Sequence, residues 1–265
     1  MYIFCGSDCH FEFQHISGDN IGTYICNSIP KEKADICILA GDIGMIKNHT
    51  RININPLLNF LTQFCEHFKH VIYVHGNHEY YKNSITQGQK DFKKKVLSKL
   101  PNLHWLNNDI IEIEGQRFLG CTLWAKIPEI KADTPYGFYE QREKYYRQMN
   151  CFDQIYDLKQ LMESEHDKSV KFITDNLKKD DVLITHFPAV TFLQDPWFKD
   201  GPTSWYYTNK LDELILEREP KLVCFGHQHT SIDRTIGNTR FIANPYGYFQ
   251  HSENKEFKQD LLIEI

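Results

Sequence analysis

The feature that most constrains the fold of this chain is a repeated arrangement, in which a short apolar run is followed at once by side chains that can bind a metal ion. The runs occupy residues 2–5, 36–40, 71–74, 182–184 and 222–225. Their length and their β-branched residues are typical of buried strands. The polar side chains that follow them are, in chain order, Asp8 and His10, Asp42, Asn77 and His78, His186, and His227 and His229.

Segments with the apolar spacing of helices lie between these predicted strands. The clearest covers residues 57–68, and others cover residues 92–100, 156–177 and 211–216. Strands that alternate with helices predict an α/β fold. A second group of strand-like segments has few helices between its members, so we expect more antiparallel sheet there. This group comprises residues 110–113, 118–123, 231–236, 240–243 and 261–265.

The chain contains no internal repeat, low-complexity tract or Gly/Ser linker, which predicts a single domain over residues 1–265. Two stretches rich in aromatic residues, at about 125–150 and 188–208, are predicted to be insertions. The first is either a helical cap with an aromatic underside or a nucleotide-binding lid. The second follows His186 closely, so we expect Trp197, Trp205 and Tyr206 to form the rim of a substrate site, the alternative being a subunit contact. No sequence feature specifies an oligomeric state.

Composition excludes several functional classes. The formal charge is −5, from 30 basic and 35 acidic residues, which argues against a surface built for extended nucleic-acid binding. The eight cysteines contain no Cys-x-x-Cys pair, so neither a zinc ribbon nor a disulfide framework is expected. No apolar run approaches the roughly 20 residues of a membrane span, and the first residues lack the basic start of a signal peptide. We therefore expect a cytoplasmic protein with no membrane partner.

The polar residues at the strand ends form a donor set suited to two metal ions. In open α/β sheets, ligands bind at the carboxyl ends of the strands, so these side chains should converge. The i, i+2 spacing of Asp8 and His10, and of His227 and His229, would place each pair on one side of an extended segment. Four imidazoles, two carboxylates and one amide exceed the needs of one ion. Their nitrogen and oxygen atoms suit divalent or trivalent Mn, Fe, Zn or Co better than Ca or Mg.

These blocks, in this order, resemble the signature of the calcineurin-like metallophosphoesterases. In this chain the blocks are Asp8-Cys9-His10, Gly41-Asp42, Gly76-Asn77-His78-Glu79, His186 and Gly226-His227-Gln228-His229. The resemblance implies a four-layer α/β/β/α sandwich of two mixed sheets flanked by helices. It also implies that one ion is held by Asp8, His10 and His229, that the other is held by Asn77, His186 and His227, and that Asp42 bridges them.

The expected reaction is phosphoester hydrolysis. Two cations roughly 3.5 to 4 Å apart can lower the pKa of a shared water, align a phosphate and neutralise its attacking and leaving oxygens. A metal-bound hydroxide would then attack a small or nucleotide-like phosphodiester or phosphomonoester. His78 is not a metal ligand in the family pattern, so we expect it to protonate the leaving group or to stabilise charge on the phosphoryl oxygens.

One departure from the family pattern bears on which branch of the family this chain resembles. Protein Ser/Thr phosphatases extend Gly-Asp to Gly-Asp-x-x-Asp-Arg, which supplies a partner for the catalytic His and an arginine for the phosphate. This chain has Gly41-Asp42-Ile43-Gly44-Met45 instead, and the sequence identifies no partner for His78. The protein-phosphatase branch is therefore disfavoured.

Two other functions remain open at this point. A DNA nuclease of the same fold would be expected to add a capping domain and a coiled-coil partner, whereas about 36 residues follow His229, with no basic tail to serve either. A non-catalytic scaffold for protein binding would be expected to have lost metal ligands, whereas every ligand type is present.

Overall fold

The computed structural model describes residues 1–13, 21–47, 56–248 and 252–265. The strands are β1 Tyr2–Gly6, β2 Ile36–Ala40, β3 His70–Val74, β4 Leu103–Trp105, β5 Asp109–Ile113, β6 Gln116–Cys121, β7 Val182–Thr185, β8 Leu222–Phe225, β9 Ile232–Ile236, β10 Thr239–Ala243, β11 Gly247–Tyr248, β12 Ser252–Glu253 and β13 Leu262–Glu264. The α-helices are α1 Ile21–Ser28, α2 Pro56–His67, α3 Ile85–Lys95, α4 Pro135–Gln148, α5 Cys151–Gln154, α6 Leu158–Asn176, α7 Pro196–Lys199 and α8 Asp212–Arg218.

Most of these strands form two mixed sheets. The first has the order β13-β1-β2-β3-β4, with β13 antiparallel to β1 and the others parallel. The second has the order β5-β6-β7-β8-β10-β9, in which β5 and β9 are antiparallel edge strands. The expected antiparallel sheet is thus only partly correct, because β6 and β10 run parallel to their inner neighbours β7 and β8. The directions of β6 and β10 are set by pairing with strands distant in sequence, so the local sequence does not specify them.

The two sheets pack face to face with helices on both outer surfaces, which confirms the four-layer sandwich. Alternate residues of a strand point to opposite faces. Ile3 and Ile38 accordingly lie in the core between the sheets, together with Ile184 of the second sheet. Phe4 and Leu39 face outwards, into the core that includes Phe60 and Phe64 of α2. On the other side, residues of α6 and α8 cover the outer face of the second sheet.

The helices lie where the sequence predicts them, but their first and last residues differ from the predicted ones. The predicted helix at residues 92–100 begins earlier, because Ser84 caps α3 by accepting a hydrogen bond from the Gln87 backbone at 3.0 Å. The stretch at 125–150 contains α4, and the stretch at 188–208 contains α7 and a 3-10 turn at Ser204–Tyr206. The division into one domain with two insertions stays a prediction. Within the described ranges, no helix is long and apolar enough to cross a membrane.

Candidate metal centre

Backbone hydrogen bonds join the loops after four of the strands in two pairs. The loop after β1 is joined to the loop after β2, because the nitrogen of Asp8 donates to the Gly41 carbonyl at 2.9 Å and the nitrogen of His10 donates to the Asp42 carbonyl at 3.0 Å. The loop after β8 is joined to the loop after β7 by a bond from the Gly226 nitrogen to the His186 carbonyl at 3.0 Å. The site therefore lies where the carboxyl ends of both sheets meet.

One cluster of donor atoms contains Asp8, His10 and His229. The Nε2 atoms of His10 and His229 are 3.1 Å apart, and Nε2 of His229 is 3.4 Å from Oδ1 of Asp8. The donor atoms of the three residues all lie within 4.8 Å of one another. These are the three residues that the family resemblance assigns to one ion.

A second cluster contains Asp42, His186 and His227, again with donor atoms within 4.8 Å of one another. Nε2 of His186 lies 3.4 Å from Oδ2 of Asp42 and 3.3 Å from Oδ1 of Asn77. The structure thus brings Asn77 to this cluster, as the resemblance implies for the second ion. Asp42 also groups with His10 and His78, so its carboxylate lies next to both clusters.

Five of these residues adopt the left-handed backbone region that L-residues rarely occupy. Their φ angles are 53° at Asp8, 47° at His10, 53° at Asp42, 73° at His227 and 56° at His229. The expectation of extended segments is therefore wrong, although Asp8 and His10 do meet in one cluster. His227 and His229 in fact contribute to different clusters. Such backbone strain typically costs about 1 to 3 kcal/mol per residue and concentrates at functional sites.

Two glycines allow the loops to approach the donor side chains closely. A Cβ atom on Gly41, whose φ is +85°, would lie 2.5 Å from Nδ1 of His186. A Cβ atom on Gly76 would lie 2.2 Å from Oδ1 of Asp42. Neither position has room for a side chain.

The buried carboxylates and imidazoles of the site strongly perturb one another. Asp8 and Asp42 are buried, yet nearby imidazoles outweigh the effect of burial and lower the pKa of each carboxyl, well below its usual range for Asp42. Burial opposes the charge on His186, but Asp42 outweighs it and raises the pKa of that imidazole to about 9. Burial and the charge of His186 lower the pKa of His227 to about 3. These buried carboxylates and mixed nitrogen and oxygen donors fit transition-metal ions.

The structure supplies a partner for His78 that the sequence did not reveal. Nδ1 of His78 lies 2.6 Å from Oε1 of Glu12, which belongs to a 3-10 turn at Phe11–Phe13. Burial disfavours a charged His78, but Asp42 and the bond to Glu12 outweigh burial and raise its pKa. The only sequence signal was the spacing Asp8-x-His10-x-Glu12, in which a carboxylate follows the first block.

Glu79, the last residue of the Gly-Asn-His-Glu block, is a second carboxylate whose role the sequence did not reveal. It is fully buried and accepts hydrogen bonds from the backbone nitrogens of Asp42 at 3.1 Å, Ile43 at 2.8 Å and Gly76 at 2.7 Å. Glu79 therefore fixes the loop after β2 against the loop after β3.

The predicted rim residues occupy three different environments. Trp197 lines a cavity of about 640 Å³ next to the donor clusters and is 86% exposed. Tyr206 lines the same cavity, but its ring is buried and its hydroxyl donates to Sγ of Cys151 at 2.8 Å. Trp205 lines a separate cavity of about 530 Å³, and its place on the rim of the substrate site stays a prediction.

Other aromatic residues line the cavity instead. The Tyr248 ring stacks on His10 with centroids 4.4 Å apart, and the Phe198 ring stacks on Tyr207 at 3.7 Å. Phe13 and Tyr81 complete this aromatic wall. Among the described residues that line the cavity, none is Lys or Arg.

The fold and the two candidate donor clusters agree with the resemblance to the calcineurin-like phosphoesterases. The sequence model for calcineurin-like phosphoesterases matches residues 1–231, and the chain belongs to this family. It is also 24% identical over 272 residues to uncharacterized protein L509 of Acanthamoeba polyphaga mimivirus, covering 94% of this chain and 91% of that protein.

Solved structures share the fold at low sequence identity. Phosphopantetheinyl hydrolase (PptH) from Mycobacterium tuberculosis is 15% identical in sequence and superposes with a TM-score of 0.59. The superposition covers 93% of this chain and 89% of PptH. GAP50, described as the anchor in the inner membrane complex of Plasmodium, is 11% identical in sequence and superposes with a TM-score of 0.52. That superposition covers 97% of this chain and 75% of GAP50.

Proposed function

We propose that the protein is a dinuclear metal-dependent hydrolase of a small or nucleotide-like phosphodiester or phosphomonoester. The observation that carries the proposal is the pair of adjacent donor clusters, with the Asp42 carboxylate next to both. Membership of the calcineurin-like phosphoesterase family supports it.

In this proposal one ion is held by Asp8, His10 and His229. The second ion is held by Asn77, His186 and His227, and Asp42 contributes to both sites. When bound, the ions supply Lewis acidity, which activates water and neutralises charge on the phosphoryl oxygens. The donor types suit Mn, Fe, Zn or Co.

His78 is the proposed catalytic residue. Its Nδ1 atom faces Glu12, and its Nε2 atom lies 4.0 Å from Oδ2 of Asp42, on the side of the donor clusters. Nε2 is therefore the atom that would deliver a proton to the departing oxygen. A positioned general acid typically contributes about 100- to 10,000-fold to the rate.

The cavity favours a small substrate with an aromatic or apolar substituent. Its volume of about 640 Å³ falls in the range typical of small-molecule sites, roughly 300 to 1,000 Å³. The described lining offers aromatic rings from Phe13, Trp197 and Tyr248 but no Lys or Arg. Recognition of a long polyanion would need such cations, so the lining argues against the nuclease alternative.

The scaffold alternative has to be judged on the site, because the fold serves more than one role. GAP50 has a similar fold and is described as an anchor. This chain brings a complete set of donor side chains together at one site, which a scaffold for protein binding would have no need to keep.

The decisive experiment combines metal analysis with a substrate panel. Purified protein is incubated with Mn²⁺, desalted, analysed for bound metal and assayed with nitrophenyl phosphate, bis-nitrophenyl phosphate, cyclic nucleotides and single-stranded DNA. Asp42→Asn protein, purified identically, controls for contaminating phosphatases. We expect two ions per chain and hydrolysis that the variant lacks. Protein that binds no stoichiometric metal and hydrolyses nothing would refute the proposal.

A further inference from the structure

Glu12 lies between two histidines of the site. Its Oε1 atom is 2.6 Å from Nδ1 of His78 and 3.5 Å from Nδ1 of His10. The side chain is only 10% exposed, and its Oε2 atom is buried with no hydrogen-bond partner among the residues that the structure describes. One carboxylate oxygen therefore faces the same nitrogen of both imidazoles.

We propose that Glu12 is a positioning residue, which keeps the proton on Nδ1 of His78 and of His10 and so directs Nε2 of both rings into the site. With Nδ1–H held in this way, Nε2 of His10 is left as a metal donor, and Nε2 of His78 is the atom that takes up and releases the proton of the acid. The consequence for catalysis rests on the proposed function. The tautomer itself is a property of the chain without metal.

The geometry at His78 requires such an acceptor. The ring of Tyr81 stacks on His78 with centroids 4.0 Å apart and planes 25° apart. Stacking fixes the plane of an imidazole, but it does not choose which nitrogen carries the proton. That choice is made by the hydrogen bond at the other nitrogen. Glu12, as a carboxylate, can only accept, so it selects the Nδ1–H form.

At His10 the contact is longer: Nδ1 lies 3.5 Å from Oε1 of Glu12 and makes no hydrogen bond within the described residues, so Glu12 acts there through its charge. Nε2 of His10 lies 3.1 Å from Nε2 of His229, inside the first donor cluster, so Nδ1 is the outward-facing nitrogen. A carboxylate behind a ligating imidazole fixes the ring orientation and raises the basicity of the nitrogen that binds the metal. Glu12 thus links one proposed metal ligand to the proposed acid. Loss of Glu12 should therefore disturb both.

The first test reads the tautomers directly. Long-range ¹H–¹⁵N spectra of protein labelled at histidine, with His10→Gln and His78→Gln variants for assignment, are recorded without metal and with Zn²⁺. We expect His78 to be protonated at Nδ1 in the wild type and to show mixed tautomers in Glu12→Ala. A neutral His78 protonated only at Nε2 in the wild type, or spectra unchanged by the substitution, would overturn the proposal even if the protein hydrolysed no ester.

The second test is a double-substitution cycle on turnover at saturating Mn²⁺. Glu12→Gln should lower kcat for an alkyl ester by about 10- to 100-fold, as for other groups that orient ligands. If Glu12 acts through His78, Glu12→Gln should have a much smaller effect in the His78→Ala background. Equal losses in both backgrounds would assign Glu12 a purely structural role.

Asp181→Asn is the matched control for loss of a buried carboxylate. Asp181 is 3% exposed and bonds Arg117 at 3.0 Å, in a part of the fold that the site does not use. We expect the turnover and histidine spectra of the Asp181→Asn protein to match those of the wild type. An equal kinetic defect in Asp181→Asn would show that the effect of Glu12→Gln reflects general destabilisation, and the proposal would fail.

Discussion

Both carboxylate oxygens of Asp8 lie 3.1 Å from the backbone nitrogen of His227, although 219 positions separate the two residues. Asp8 follows β1 of the first sheet, and His227 follows β8 of the second. This contact therefore joins the carboxyl ends of the two sheets and aims Asp8 at His229. The donor clusters depend on the packing of the whole sandwich, because no single sheet supplies either one.

The first prediction concerns Asp42, which lies next to both clusters. Asp42→Asn keeps the shape of the side chain but removes its charge, so both ions should be lost or strongly weakened. Turnover should fall by more than about 100-fold, since groups that merely orient ligands already cost 10- to 100-fold. Metal content after dialysis against Mn²⁺ provides the measurement.

His10→Ala is the comparison for that experiment, because His10 belongs to the first proposed ion site. It should weaken mainly one ion. An Asp42→Asn protein that kept two tightly held ions and near-normal turnover would show that Asp42 does not bridge.

The donor residues could be predicted from the sequence because each follows a strand directly. Strand ends are a local signal, so the positions of Asp8, Asp42 and His186 needed no knowledge of packing. Glu12 could not be identified in this way, because its role depends on a contact with His78 across 66 positions. The direction of β10 was likewise hidden, since it depends on pairing with β8.

The second prediction concerns the leaving group. His78→Ala should leave metal content largely intact and reduce turnover of an alkyl ester by roughly 100- to 10,000-fold. The loss should be much smaller for a nitrophenyl ester, whose leaving group departs without a proton. Comparison of kcat for the two esters is the measurement. His166→Ala, at a histidine that lines the separate cavity, serves as the control.

Equal losses for the two esters would count against an acid role for His78. They would favour a role in positioning the phosphoryl group. Loss of bound metal in His78→Ala would instead indicate that the residue supports the ion sites.

The third prediction separates backbone strain from steric clash. Gly41 and Gly115 have φ angles of +85° and +82°, so alanine at either position should cost about 1 to 2 kcal/mol for its left-handed backbone. Gly41→Ala also drives a Cβ into His186, whereas a Cβ on Gly115 meets no atom of the described residues within 4 Å. Overpacking should add about 1 to 3 kcal/mol.

Urea unfolding of the two metal-free variants measures this difference. Gly41→Ala should also reduce metal content, while Gly115→Ala should not. Equal destabilisation with intact metal content would mean that the loop after β2 can move away from His186 at little cost.

The sequence placed Trp205 and Trp197 on the same rim because both lie in one aromatic stretch. The chain turns between them, through α7 and the turn at Ser204–Tyr206. The Trp205 ring packs against Tyr145, with centroids 5.6 Å apart, and faces the separate cavity. Spacing along an irregular segment gives no direction for its side chains, so this difference could not be foreseen.

The last prediction follows from that placement. Trp197 offers an exposed ring beside the donor clusters, and a diester carries a second substituent that this ring can contact. With no Lys or Arg on the described lining to bind a second negative charge, diesters should compete at least equally with monoesters. Stacking on an aromatic side chain is worth roughly 1 to 3 kcal/mol per base. Trp197→Ala should therefore raise KM for bis-nitrophenyl phosphate by about 5-fold or more.

The same substitution should change KM for nitrophenyl phosphate less, because the monoester has only the leaving group itself. Trp205→Ala should have a smaller effect than Trp197→Ala on the diester, and Tyr139→Ala, at a ring that is 67% exposed on α4, controls for loss of a surface aromatic. A larger effect of Trp205→Ala would restore the rim expected from the sequence. A strong wild-type preference for the monoester, with KM unchanged in Trp197→Ala, would mean that the exposed indole does not contact substrate. The second substituent of a diester would then have to be bound by Phe13 or Tyr248.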